Sequence, residues 1–277
     1  MMKKNIHLQG LRPWHLYFAL RNRIDYPLRN YVAWKRPLPE RQAPENAALL
    51  SDFPITIKNQ ALSLMQSFHL DDQRLFLTTD DLVVNLYYLD ALQQVFSAVD
   101  VDWGESMHTG DVGPSDWFYL PGLYHFIRYY KCPQGREVCL EGFEIDPYRV
   151  YANLHSRYDY ACHRSKAFPM VRYHPLAFQE QPEQFDMLIQ FFPFLFLKDH
   201  LAWGLPGTMF NPRGLFQGLL NSLKKGGHWI ILNQGEAEHG VQMELIEECG
   251  LQILTQFELR SVFKQYQKKH WMMVIKK

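Results

Sequence analysis

No stretch of the chain approaches the ~18 consecutive apolar residues that a membrane-spanning helix requires. The longest apolar run, "MLIQFFPFLFL" at residues 187–197, is broken by Gln190 and Pro193. The first residues, "MMKKNIHLQGLRPWH", hold two lysines but no apolar segment behind them, so no secretion signal is expected. These two absences make a cytoplasmic protein the expectation. An excess of charge is also missing. Lys plus Arg is 29 and Asp plus Glu is 29, a formal net charge of zero. A protein that neutralises many phosphates usually carries a basic surplus, so a duplex nucleic-acid partner is not expected. Cysteine is scarce, at positions 132, 139, 162 and 249, with no C-x-x-C pair. Reduced thiols are the reading, against a disulfide framework or a zinc site.

Three catalytic signatures are absent. There is no G-x-S-x-G elbow, which argues against a serine hydrolase of the usual α/β type. There is no G-x-x-x-x-G-K-[ST], which argues against P-loop chemistry. The twelve histidines include no H-x-x-x-H pair with a carboxylate partner, so no metal site is expected.

What is present divides into two regions. Residues 1–79 mix aromatics, arginines and prolines. Segments 14–22 and 57–69 have helical spacing, and Pro37, Pro39 and Pro44 interrupt anything longer. An N-terminal, largely helical extension or cap is expected here. From residue 80 to 277 the pattern becomes regular. "DDLVVNLYYLDALQQVFSAV" opens on aspartates, a helix N-cap signal, and continues with helical apolar spacing. Then follow a short strand ending in "GDVG", a helix in "LYHFIRYY", and a strand in "EVCLEGFEIDP". "PYRVYANLHSRYDYACHRS" predicts a helix with Pro147 in its first turn, and "MVRYHPLAF" and "FDMLIQFFPF" predict strands. "RGLFQGLLNSLKKGG" predicts a helix with a basic last turn and a glycine stop. "HWIILNQGE" is a strand and "VQMELIEECG" a helix. "LQILTQFEL" and "HWMMVIKK" close the chain as strands joined by a connection too short for a helix, so one of them should run antiparallel. Alternating strands and helices imply a mostly parallel sheet covered on both faces.

This order resembles the Rossmann-like (class I) S-adenosylmethionine-dependent methyltransferases. Four segments carry the resemblance. "EGFEIDP" is similar to that family's second strand with its terminal acid, and "PEQFDMLIQFFPF" to its fourth strand. "LLNSLKKGGHWIILNQGE" is similar to the helix, turn and fifth strand, and the paired strands ending in "HWMMVIKK" to the reversed last hairpin. The resemblance implies a doubly wound, mostly parallel seven-stranded sheet with a reversed C-terminal strand. It implies S-adenosyl-L-methionine as cofactor, and the zero net charge with the apolar segment around Trp203, Met209 and Phe210 points to a small or lipid-like acceptor. It also implies a cofactor site beyond the carboxyl ends of the strands. There the family's first turn, Asp/Glu-x-Gly-x-Gly-x-Gly, corresponds to Asp111-Val112-Gly113-Pro114-Ser115-Asp116-Trp117. The acid and first glycine remain, while Ser115 and Trp117 stand at the second and third glycine positions. The loop is also long: 33 residues separate Asp111 from Glu144, against roughly 20 in a compact dinucleotide unit. Such a loop either wraps a cofactor or fills its former pocket.

By the same resemblance, Glu144, with Ile145 beside it, is placed for the ribose hydroxyls. The alternative is a strand-end acid that caps the next helix. His174 and Leu176 follow the third strand near the expected adenine, without the usual acid. Gln190 ends the fourth strand where cofactor and acceptor meet, but "QFFPF" lacks the Asn or Asp that amine-methylating relatives use. No catalytic residue is named by a motif; tyrosines and histidines of the N-terminal region and of a lid-like segment, 198–213, are unranked candidates. Two rivals stand beside the methyltransferase. One is a non-catalytic binding or assembly module whose cofactor loop has degenerated. The other is a nicotinamide oxidoreductase, disfavoured because "GDVGPSDW" does not fit G-x-G-x-x-G. Arg21, Arg23, Arg29, Lys35, Arg36 and Arg41, interleaved with aromatics, suit a pocket wall, a membrane-proximal face, or a single-stranded RNA patch.

Overall fold

The computed structural model describes residues 6–32, 37–40, 42–71 and 75–277. Seven strands form one sheet: β1 (Ser106–Val112), β2 (Glu137–Phe143), β3 (Val171–His174), β4 (Phe185–Phe191), β5 (Leu223–Gln234), β6 (Gln252–Leu259) and β7 (His270–Lys276). Their order is β3-β2-β1-β4-β5-β7-β6. β1 to β5 run parallel to one another, and β7 runs antiparallel to both β5 and β6. The chain therefore has the methyltransferase-type Rossmann-like fold that the segment order implies.

The described helices are α1 (Pro13–Val32), α2 (Asn46–Leu49), α3 (Ile55–Ser67), α4 (Thr79–Ser97), α5 (Leu120–Tyr129), α6 (Arg157–Ser165), α7 (Leu197–Ala202), α8 (Pro212–Ser222) and α9 (Glu236–Glu248). None is long and apolar enough to cross a membrane. Strand alternation divides the core in two. One face of the sheet, with Met187, Ile189, Ile230, Leu232 and Met272, packs on α3, α4 and α5. The other, with Leu188, Trp229, Ile231 and Met273, packs on α8 and α9. Leu50, Ala61, Met65 and Phe68, from α2, α3 and their flanks, lie in the first of these cores, so residues 46–70 are part of the sheet's own packing.

Local chemistry moves several boundaries. The cap of α4 is Thr78, whose Oγ1 accepts from the Asp81 N–H at 3.1 Å; the aspartates lie inside the first turn. The helix expected from Pro147 begins only at Arg157. A capping box starts it there: Ser156 Oγ accepts from the Asp159 N–H, and the Asp159 carboxylate accepts from the Ser156 N–H. Residues 147–156 form an irregular crossing closed by a Val150–Ser156 bridge. The helix expected to run through "LKKGG" stops at Ser222, because Leu223 already pairs with Phe185 as the first residue of β5.

Helices α4 and α5 meet where Gly122 crosses Asn85. The Gly122 N–H donates to Asn85 Oδ1 at 2.9 Å, while Asn85 Nδ2 donates to the carbonyls of Asp81 and Phe118. A Cβ at Gly122 would stand 2.8 Å from the Asn85 carbonyl oxygen. Gly122→Ala gains about 1 kcal/mol of helix propensity. Overpacking against a backbone atom costs about 1–3 kcal/mol and outweighs it. We expect Tm to fall by about 2–4 °C; a rise in a thermal melt would show that the crossing is slack.

Candidate functional site

The carboxyl ends of the parallel strands open into a cavity of about 880 Å³. Its floor is the loop after β1, and that loop has an unusual backbone. Gly113, Ser115 and Trp117 have φ of +80°, +58° and +59°. The left-handed conformation thus recurs at alternate positions, where a Gly-x-Gly-x-Gly loop would have its glycines. Only Gly113 adopts it without strain. At the other two it costs about 1–3 kcal/mol each.

Fixed hydrogen bonds hold the strained residues. The Ser115 N–H donates to Glu144 Oε2 at 2.7 Å and the Ser115 carbonyl accepts from Tyr173 Oη–H at 2.6 Å. Trp117 is fully buried. Its Nε1–H donates to Asp111 Oδ2 at 2.8 Å, and its ring lies beneath Gly142 of β2, where an added Cβ would come within 2.8 Å of it. Tyr119 Oη–H reaches both Asp111 oxygens, at 2.9 and 3.1 Å. The tryptophan therefore turns away from the cavity and under the sheet. It does not plug the site. Glycine at 142 provides the room for the ring; without that space the third loop position could not hold it.

Glu144, at the end of β2, is buried. Its Oε1 accepts from the Asp146 N–H at 2.7 Å, and Arg157 Nη1 lies 4.0 Å away. Desolvation pushes its carboxyl above the ordinary range, against the lowering effect of Arg157 and the two backbone donors. Asp146, 1% exposed, gathers arginines from three directions: Arg29 of α1 at 2.6 Å, Arg157 at 3.4 Å and Arg149 at 3.6 Å. The Arg149 and Arg157 guanidiniums lie over the Trp203 ring, 5.2 and 4.7 Å from its centroid, and Arg29 donates to the Gly204 carbonyl. Tyr26 of α1 donates to the Ile145 carbonyl. One network thus ties α1 and the segment after α7 across the strand ends. The outward face of α1 exposes Leu16, Tyr17, Leu20, Ile24 and Tyr31.

Gly113, Ser115, Glu144 and Ile145 line the cavity, as do the aromatic end of β4 (Phe191, Phe192) and much of segment 199–212. Asp111 lies behind the loop, wholly enclosed by Trp117 and Tyr119, and burial pushes its carboxyl up to about 7 in spite of their hydrogen bonds. His174 turns to Glu141, Leu176 is exposed, and Gln190 is buried off the cavity wall. Their neighbours Ala177, Phe178 and Phe191 form the wall instead. Of the expected basic patch, Arg29 is committed to Asp146, while Lys35, Arg36 and Arg41 lie outside the described residues.

Two titratable residues that no motif marked also face the cavity. Glu238, at the start of α9, accepts the Gln234 N–H at 2.8 Å, and burial pushes its carboxyl up to about 7. His200 of α7 shares its Nε2 with the Pro206 carbonyl at 2.9 Å, and burial lowers its pKa. Glu238 follows the turn after β5, and His200 lies among the unranked candidates of segment 198–213; the fold sets both on the cavity wall. The expectation of no metal site came from spacing along the chain. Strand pairing nevertheless brings His108, Cys139 and Glu141 within 4.8 Å of one another by their donor atoms.

No known family's sequence profile matches the chain, and no curated protein matches it in sequence. Solved structures similar to it include the [4+2]-cyclase SpnF, at 12% identity over 68% of this chain and 81% of that one, TM-score 0.48. Another is a class I S-adenosylmethionine-dependent methyltransferase from Listeria monocytogenes, at 16% identity over 82% and 70%, TM-score 0.47. A third is the N-methyltransferase NodS from Bradyrhizobium japonicum in complex with S-adenosyl-L-homocysteine, at 12% identity over 79% and 98%, TM-score 0.43. At these identities the likeness concerns the fold alone.

Asp111→Ala should leave two buried donors, the Trp117 indole and the Tyr119 hydroxyl, without an acceptor. Each costs about 1–3 kcal/mol, and a Tm drop of roughly 5–15 °C is expected. A melt within 2 °C of wild type would mean that Asp111 does not hold the loop. Glu238 gives a pH signature. Its folded pKa lies above the unfolded value near 4.5, so its stabilising contribution is full below about pH 4.5 and is lost as pH rises through about 7. Glu238→Gln should therefore gain Tm relative to wild type between pH 5 and pH 8. A difference that stays flat over that range would place the carboxylate in solvent.

Proposed function

We propose that the chain is an S-adenosyl-L-methionine-dependent methyltransferase acting on a small, predominantly apolar molecule. The carrying observation is the backbone at 113, 115 and 117, left-handed at alternate positions on the floor of a large cavity, with Glu144 beside it. The cavity accommodates the cofactor at that point. A Cβ at Gly113 would meet no atom within 4 Å, so the glycine leaves open space for close approach. Gly113 and Ser115 would face the amino-acid and sulfonium part, Glu144 the ribose hydroxyls, and Ile145 with Ala177 and Phe178 the adenine. When bound, the cofactor supplies an electrophilic methyl group on a sulfonium.

The chain's own residues then have three tasks. Phe191, Phe192, Phe194 and Phe210 give the acceptor an apolar wall that orients it and keeps water out. Alignment of this kind supplies most of the acceleration of a direct displacement. Glu238, poised near neutrality on the same wall, is the group to accept a proton from an acceptor that must lose one. Tyr26 and Arg29 hold α1 across the strand ends through Ile145 and Asp146. The zero net charge and apolar wall favour an uncharged or lipid-like acceptor over nucleic acid.

One observation favours a non-catalytic binding module instead: both Glu144 oxygens already accept from the chain, at Ser115 and Asp146. A carboxylate has lone pairs for further donors, and one experiment separates the two readings. S-adenosylhomocysteine titrated into the protein should release heat at one site per chain. Gly113→Ala, whose methyl would enter open space at about 1–3 kcal/mol of left-handed backbone strain, should weaken binding about tenfold or more while the circular dichroism spectrum at 20 °C stays that of the folded protein. No heat and no thermal shift at millimolar ligand would establish the module reading; equal affinity in Gly113→Ala would put the ligand elsewhere.

A further inference from the structure

The sheet is not covered evenly. Parallel sheets usually carry helices on both faces. Here the connection from β3 to β4, residues 175–184, contains no helix. The β3-β2-β1 end of one face is left without a covering helix, and the side chains on it are polar. His108 on β1 pairs in register with Cys139 on β2. Glu141, two residues on, points to the same face, and Arg172, in register with Glu141, and His174 continue the row on β3. Imidazole, thiol and carboxylate, all with partial access to water, are the donor types of zinc chemistry.

Their geometry is that of a site. The donor atoms of His108, Cys139 and Glu141 all lie within 4.8 Å of one another. Ligands about a tetrahedral zinc-type ion, at its usual bond lengths, stand about 3.3–3.8 Å apart, so His108 Nε2 and Glu141 Oε1, at 2.6 Å, must open by about 0.7 Å to admit an ion, and any pair wider than that spacing must close. His108 Nε2 lies 2.6 Å from Glu141 Oε1, and His174 Nε2 lies 2.6 Å from Oε2. Glu141 is thus held by two imidazoles, one on each oxygen. The cluster is separate from the cofactor cavity. Phe143, which lines the cavity, stacks on the His174 ring at 4.8 Å, and Phe185 stands 4.9 Å from the His108 ring.

We propose that His108, Cys139 and Glu141 bind one zinc-type divalent ion on this open sheet face, with His174 as the positioning residue that orients the Glu141 carboxylate. Binding converts the Cys139 thiol to thiolate and releases its proton to solvent. His108 turns the Nε2 lone pair to the ion and keeps its proton on Nδ1. Water completes the coordination. The ion clips β1 to β2 where a helix would otherwise cover them. His174 keeps its bond to the second oxygen, the arrangement by which outer partners fix a metal-bound carboxylate.

The test uses the full chain and the metals alone. One equivalent of Co²⁺ should produce a thiolate-to-cobalt absorption band in the near ultraviolet, and Zn²⁺ should abolish it by displacement. Cys139→Ser should remove the band, while Cys162→Ser keeps it. His174→Ala should keep the band but weaken Zn²⁺ binding about 10–100-fold, the usual cost of losing an outer partner. A second measurement needs no variant: Zn²⁺ should slow alkylation of Cys139 in the wild-type protein, read by peptide mass spectrometry against Cys132, Cys162 and Cys249. A band that survives Cys139→Ser, or alkylation of Cys139 at an unchanged rate with stoichiometric zinc, overturns the proposal.

Discussion

The cavity depends on a carboxylate that never touches it. Asp111 sits at the end of β1 with no exposed surface, accepting from the Trp117 indole and the Tyr119 hydroxyl. Burying a carboxylate is costly unless donors surround it. Here the two donors are aromatic side chains from the loop that the strand leads into. Satisfying Asp111 therefore draws the loop back under β2. That movement places Trp117 in the space left by Gly142 and puts Ser115 where Glu144 and Tyr173 can hold it. Strain of about 1–3 kcal/mol at each of Ser115 and Trp117 is met by charge-assisted hydrogen bonds of about 1.5–3 kcal/mol each. The two terms are of one size, which is why a loop with two glycines missing can keep a glycine-loop backbone.

A mostly parallel sheet with a reversed last strand was legible in the chain because strands and helices alternate with distinct periods and the last connection is too short for a helix. Placement of Glu144 and Gly113 at one end of the sheet followed from the resemblance of their segments to the family's first turn and second strand. The fate of Trp117 was not legible. Whether an indole fills a cavity or turns beneath a strand depends on Gly142, 25 residues away in sequence and adjacent only after β1 and β2 pair. The helix drawn through 147–156 failed for a local reason, since the Ser156–Asp159 capping box starts α6 later than Pro147 suggested. The His108–Cys139–Glu141 group escaped a search for helical metal spacing. The signal that could have found it is two-residue alternation on β2, Cys-x-Glu, next to a strand with an inward histidine.

The two faces of the sheet divide the labour of the molecule. On one, α3, α4 and α5 bury aromatics against the strands and support the loop from below; Tyr88 stacks on Phe191, Tyr119 packs tilted against it, and they carry that packing up to the cavity wall. On the other, the second core stops at Phe143 and Phe185, and the polar row begins beyond them. Phe143 belongs to both, as cavity lining and as partner of His174. A perturbation of the polar row thus has a short mechanical route to the cavity wall, through one ring.

Fold alone does not settle chemistry, since one scaffold hosts many unrelated activities. What distinguishes the possibilities is the site. A reaction guided by shape alone needs an enclosing apolar wall and no proton acceptor. Methyl transfer to an acidic heteroatom needs both. The cavity holds an aromatic wall and, in Glu238, a carboxyl raised by burial and restrained by one backbone donor. Burial that raises this carboxyl disfavours its charged form and is costly for folding. Its bond to the Gln234 N–H holds it at the start of α9, and under the proposed reading it is the carboxyl on the cavity wall placed to take a proton from an acceptor.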